Sequence, residues 1–299
     1  MTPFLLFAAA AAAASGEVDA LEKCAALAGR DPKAAIEQAQ GWRLKGGDMA
    51  ARQCLGIAYM ADGRTAPAAL TFEQAARAGE ASGDARTADL WAQAGNAWLA
   101  AGEAAKARAA LDTALARGGG SDGWKGEAYI DRARADVDLA DPKAARADLD
   151  RALALVPDDP IVWLLSATLA RRQQDVARAA KDIAEAIRRA PDSAEVALEA
   201  GNIAALQGEL AAAREEWRLA AERGKGTGTA KAALDALATN PAEGSPLPFS
   251  SHHPGLDRLN PDRNRSSSPP GSSGTASRFP NRHCRHRARR PRNNPASPV

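Results

Sequence analysis

Residues 51–75, ARQCLGIAYMADGRTAPAALTFEQA, decide the fold. Leu55, Gly56 and Tyr59 fall on one face of a first helix, and Ala68, Phe72 and Ala75 on one face of a second. Residues three and four apart stack on the same side of an α-helix. The small residues Gly56, Ala68 and Ala75 let two backbones approach closely. Leu55, Tyr59 and Phe72 fill the seam between them. A single pair of this kind cannot bury its apolar face alone, so the stretch predicts neighbours.

The neighbours are present. Trp91, Gly95 and Trp98 are followed by Ala107, Leu111 and Ala114; Tyr129 and Ala133 by Ala145, Leu149, Ala152 and Pro157. Trp163 and Ala167 are followed by Ala179, Ile183, Ala186 and Pro191; Gly201 by Ala213, Trp217 and Ala220. The small residue and the alanine are 12 apart in every unit: 56 to 68, 95 to 107, 133 to 145, 167 to 179, 201 to 213. The units step by 39, 38, 34 and 34 residues.

Spaced as L-G-x2-Y, then A-x3-F, then Ala, these residues resemble the tetratricopeptide repeat (TPR) family, whose period is about 34 residues. The resemblance implies an all-α, right-handed solenoid. Its five units are expected at 49–82, 88–121, 126–159, 160–193 and 194–227. Residues 17–47 read as a degenerate N-terminal repeat, because Asp31-Pro32 opens a helix with the same DPKAA word that recurs at Asp141-Pro142. Residues 228–240 read as one capping helix beyond the GKGTG break at 224–228.

Composition agrees. Hydrophobic residues make up 45% of the chain but aromatics only 4%. Such a chain stacks thin helical layers more readily than it builds one thick core. No strand-length alternation occurs between 17 and 240, so no sheet is expected.

At the front, Phe4–Ala14 is an apolar run the length of a signal-peptide core, followed by small residues. It predicts a leader at 1–16 and export, with a periplasmic address. The run lacks preceding Lys or Arg, which keeps a cytoplasmic reading open. It is too short for a stable membrane span. At the other end, residues 241–299 are rich in Pro, Ser, Arg and Asn and are expected to be disordered. They carry 10 Arg and 3 acids, net +7, which leaves 29 bases and 34 acids, net −5, for the rest. The Arg-rich end at 282–292 reads either as a phosphate-binding arm or as adventitious sequence. Export argues against a nucleic-acid partner.

All four histidines, His252, His253, His283 and His286, lie in that tail. The repeats therefore lack the commonest general acid/base and metal ligand. They also carry no phosphate-loop, dinucleotide, zincin or nucleophile-elbow motif. No catalytic residue, cofactor or metal is expected. Asp136, Asp138, Asp148 and Asp150 read as the solvated faces of amphipathic helices. The tryptophans at pattern positions, Trp91, Trp98, Trp163 and Trp217, read as core.

What remains is surface. The resemblance implies that the first helices line a concave groove for a peptide or partner protein. By family register the groove-facing positions are Gln53, Ile57, Met60, Asn96, Leu99, Ile130, Arg134, Asp138, Leu164, Thr168, Arg171, Arg172, Leu198 and Asn202. Asn96 and Asn202 stand where many relatives hold a ligand's backbone. Relatives that clamp a chaperone's C-terminal carboxylate also need a lysine four residues earlier, and here Ala92 and Leu198 occupy those places. Arg171 and Arg172 are expected to meet an acidic group and to be dispensable for folding. Cys24 and Cys54 sit in successive first helices, which lie side by side in a solenoid. They read equally as a disulfide, if the chain is exported, or as two buried thiols.

Overall fold

The computed structural model describes residues 4–241. The expectation for the tail falls outside them, apart from its first residue. The described chain is all-α. Its helices are α1 (Phe4–Ala28), α2 (Pro32–Leu44), α3 (Asp48–Ala61), α4 (Thr65–Ser82), α5 (Thr87–Ala100), α6 (Ala104–Arg117), α7 (Asp122–Asp138), α8 (Pro142–Leu155), α9 (Pro160–Arg172), α10 (Val176–Arg189), α11 (Ala194–Leu206), α12 (Leu210–Arg223) and α13 (Gly228–Thr239). They pack as successive hairpins, α1 with α2 through α11 with α12, and α13 closes against α12 and α11. First helices also touch across units, α1 with α3, α5 with α7, and α9 with α11. The result is two layers, one of first helices and one of second helices.

Local chemistry sets the helix starts. Asp31, Ser121, Asp141, Asp159, Asp175, Ser193 and Thr227 each accept a backbone N–H of the turn they cap. Each such cap is worth about 1 kcal/mol. α1 starts at Phe4, well before residue 17, where the degenerate first repeat is expected to open. The alanine run has the highest helix propensity, and Gly16 alone does not break it. Among the described residues no helix is long and apolar enough to cross a membrane.

The seam is as tight as the spacing requires. A Cβ added at Gly56 would lie 2.6 Å from the Phe72 ring, at Gly95 2.5 Å from Leu111, and at Gly201 2.5 Å from Trp217. Ala133 and Ala167 hold the same place in the third and fourth units and are buried.

A second periodic position was not anticipated. Seven residues after each small residue the chain turns through a left-handed conformation: Gly63, Gly102, Ala140, Gln174 and Gly208, with φ of 75°, 75°, 58°, 62° and 83°. Glycine adopts this φ freely, whereas a side chain there costs about 1 kcal/mol. Ala140→Gly and Gln174→Gly should therefore each stabilise the protein by roughly 0.5–1 kcal/mol. Chemical denaturation checks this, and a lowered midpoint would refute it.

Arginines tie the units together. Ten residues past the seam alanine, Arg117, Arg189 and Arg223 reach back to the residue twelve past the alanine of the preceding unit. Arg117 meets the Glu80 carboxylate, Arg189 the Pro157 carbonyl at 2.7 Å, and Arg223 the Pro191 carbonyl at 2.8 Å. Cys24 and Cys54 are joined in a disulfide with a Cα–Cα distance of 5.9 Å, linking α1 to α3.

Candidate partner-binding face

The expected site residues lie on the layer of first helices, and they divide into three groups. Ile57, Met60 and Leu99 are half-buried and pack on one apolar cluster spanning α4 to α7. Leu164 and Leu198 are half-buried against the clusters of the fourth and fifth units. Asp138 and Arg172 are exposed at the last turns of α7 and α9.

The second group is more enclosed than expected. Ile130 is 5% exposed, Gln53 8%, Arg134 8% and Thr168 9%. Neighbouring first helices lean on one another and cover the sides of these residues. Thr168 turns its hydroxyl back to the Leu164 carbonyl at 2.9 Å, as a buried hydroxyl on a helix must.

The third group, which shares Gln53 and Arg134 with the second, carries side-chain bridges, three of them between adjacent first helices. Gln53 of α3 donates to Gln93 of α5 at 3.3 Å. Asn96 of α5 donates to Asp131 of α7 at 3.1 Å, and Arg134 donates to the same carboxylate at 3.1 Å. Arg171 of α9 grips Glu199 of α11 with two nitrogens, at 2.6 and 3.2 Å. Asn202 donates to Glu199 at 3.3 Å and accepts the Trp217 indole N–H at 3.1 Å. Arg171 is thus committed to a carboxylate of its own chain, against the expectation that it waits for a ligand. The cause is proximity: Glu199 sits on the next first helix and is only 6% exposed.

Gln93, Asp131 and Glu199 were missed in the sequence. Each stands three residues before an expected groove residue, Asn96, Arg134 and Asn202. That is the helical spacing at which side chains pair.

On α7 and α8 the acidic residues are not all solvated. Asp136 is 1% exposed and Asp148 2%. Asp148 is held by Arg132 at 2.6 Å and Arg151 at 2.8 Å. Asp136 lies 3.2 Å from Arg108. Burial pushes its carboxyl up from 3.8 to about 6; Arg108 and Arg132 oppose this, while Asp148 and Asp141 add to it. The folded state therefore takes this proton before the unfolded state does. Stability contributed here rises as pH falls from about 6 towards 4 and is lost as pH rises through the same window. Asp136→Asn should add about 1–2 kcal/mol at pH 7 and flatten that slope. Denaturation near pH 4, at about the lower end of that window, and near pH 7, about one unit above it, tests the point; an Asn variant less stable at neutral pH would refute it.

Trp163 departs from its expected core place. It is half-buried, donates its indole N–H to the Pro157 carbonyl at 2.7 Å, and carries Arg189 over its ring at 5.0 Å.

Comparison with known proteins agrees with this geometry. The tetratricopeptide repeat family matches residues 130–183 and 164–241. The crystal structure of PilW, a widely conserved type IV pilus biogenesis factor, aligns with a TM-score of 0.60 and 18% identity over 72% of this chain and 98% of that one. PilF of Pseudomonas aeruginosa aligns with a TM-score of 0.57 and 13% identity over 74% of this chain and 99% of that one. The Cut9–Hcn1 assembly of the APC/C aligns with a TM-score of 0.57 and 16% identity over 72% of this chain and 41% of the matched chain. At such identities the likeness is one of fold. No curated protein sequence matches the chain.

Proposed function

We propose, from the premise that this chain is a tetratricopeptide repeat protein, that it is a non-catalytic scaffold binding a peptide or partner protein along its first helices. The observation that carries this reading is the row of half-buried apolar side chains, Ile57, Met60, Leu99, Leu164 and Leu198, set among the polar bridges of the same face. Such side chains supply anchors whose burial a partner completes, and the flanking polar groups select among partners. The bridges are also acceptors and donors that a peptide backbone can enter, Asn96 above all, since its amide offers both.

The cell envelope is the compartment this reading favours. The Phe4–Ala14 run has signal-peptide character, and a disulfide persists in an oxidising space. The partner is accordingly an envelope protein, and an accessory place in a cell-wall or glycan enzyme complex is one form that role takes.

Photoreactive residues placed at Met60 or Leu99, compared with Leu70 or Ile187 on the second helices, test the surface. Adducts with an envelope protein are expected from the first pair only. Asn96→Ala with Arg172→Ala should weaken that complex about fivefold or more, roughly 1 kcal/mol, while loss of the Asn96–Asp131 bridge lowers stability by about 1 kcal/mol. Adducts from the second-helix positions alone would sink the proposal.

A further inference from the structure

The second-helix layer has a feature of its own. A cleft of about 520 Å³ opens beside α10, a size in the range of pockets that take a few side chains. Leu153 of α8, Trp163 of α9 and Ala177 of α10 give it apolar walls, and Asp175, Arg178, Lys181 and Asp182 give it charge. Leu153 and Trp163 are half-buried and Ala177 is exposed, so apolar surface there still faces water.

The charges differ in their commitments. Arg178 pairs with Asp150 at 2.5 Å and with Asp182 at 3.2 Å. Arg146 shares Asp150 at 3.2 Å, and Asp182 also accepts the Ser166 hydroxyl. These two cations and two anions balance. Asp175 caps α10 by accepting the Arg178 backbone N–H at 3.1 Å, and the positive end of the helix dipole offsets its charge. It stands six residues before Lys181, about 9 Å along the helix, close to a Debye length at physiological salt. Lys181 is exposed and, among the described residues, makes no hydrogen bond or ion pair. Two residues after the seam alanine the other units hold Leu70, Ala109, Ala147 and Glu215, so a cation at this register is confined to the fourth unit.

We propose that this cleft docks an acidic, apolar peptide segment of a partner protein, with its carboxylate on Lys181 and an aromatic or branched aliphatic side chain against Leu153, Trp163 and Ala177. Charge complementarity selects this occupant. A carboxylate gives Lys181 the partner it lacks. A basic segment would find Asp150 and Asp182 already held by arginines and Asp175 spent on its cap, and would meet Arg178 and Lys181 as like charges. A wholly apolar segment would cover the walls but strip water from an unpaired ammonium, which costs free energy. The apolar side chain next to the carboxylate displaces water from the half-buried walls. The cleft shares no residue with the partner face proposed above, so it stands or falls separately from that function.

The blocked peptide acetyl-GDLFDG-amide serves as the probe, and acetyl-GNLFNG-amide as its uncharged counterpart. Acetylation of the full chain by N-hydroxysuccinimidyl acetate, read by peptide mass spectrometry, reports each lysine. The acidic probe is expected to protect Lys181 and to leave the exposed Lys143 of α8 unchanged, and the amide probe to protect neither. Two variants are then titrated with the fluorescently labelled acidic probe. Ala177→Glu sets a carboxylate four residues before Lys181 on the same helix face, and an acid in the first turn suits the helix. It should weaken binding about tenfold. Lys181→Gln should weaken it about fivefold. Protection of Lys181 by neither probe would overturn the proposal, as would equal protection by both. Unchanged affinity in either variant would do the same. A probe released by Asn96→Ala with Arg172→Ala but retained by Lys181→Gln would lie on the first-helix face, which also overturns it.

Discussion

Replacing Cys24 and Cys54 by serine is expected to lower the stability of the first layers by about 3–4 kcal/mol. The loop closed by the bond spans 30 residues, and the chain-entropy relation gives that magnitude. The effect should be local. Both sulfurs are fully buried, and around them the core is thin: Ala39 and Leu55 in one cluster, Ala28, Ala35 and Ala58 in the next. Alanine brings little apolar area, so the staple does what bulk does elsewhere. Hydrogen exchange in α1 and α2 should therefore quicken by two to three powers of ten. The amides of α9 to α12 should exchange as before, because solenoid units feel mainly their neighbours. Unchanged protection in α1 and α2 would show that the thin core suffices without the bond.

Arg171→Ala should cost about 2–3 kcal/mol. That is much more than an exposed arginine at the edge of a groove would cost, because the Glu199 carboxylate would be left buried without its guanidinium. The side chain of Arg171 keeps 27% of its exposure, so water softens the loss, and the value is set at the low end of the range for broken buried pairs. Glu199→Gln in the same chain should recover at least 1 kcal/mol, since a neutral amide in that place no longer needs a cation. Thermal denaturation of the two single variants and the double one supplies the cycle. Additive losses would mean that the pair is not coupled. Arg172→Ala, one residue on and exposed, should be nearly silent in the same assay.

The contrast between Arg171 and Arg172 shows where sequence reading stops. The seam was legible because it rests on residue size at fixed spacing. Gly56 against Phe72 and Gly201 against Trp217 follow from pattern alone. The all-α class followed from the same pattern. The commitments of polar side chains were not legible. Whether Arg171 meets a ligand or Glu199 depends on how closely α9 and α11 approach, and a lone helix does not encode that distance. Asp136 and Asp148 were misjudged for a related reason. An acid on a helix looks solvated until the neighbouring helix covers it, and Arg108 and Arg132 come from other helices. The left-handed turn position was visible in hindsight at Gly63, Gly102 and Gly208. Ala140 and Gln174 hid the rhythm because they hold a glycine's conformation without being glycine.

The constancy of the hairpin against the variability of its connections has a consequence for how such a chain tolerates added length. Within each unit the distance from seam residue to left-handed turn to alanine never changes, while the steps between units run from 39 down to 34. One residue inserted at 61–64 would rotate α4 by about 100° relative to α3 and turn Phe72 away from Gly56. The same residue inserted at the Gly118–Gly120 connection would leave both flanking hairpins in phase. Lengthening is thus forbidden inside a unit and permitted between units, so the connections are the places where new segments can be grafted without unthreading the stack.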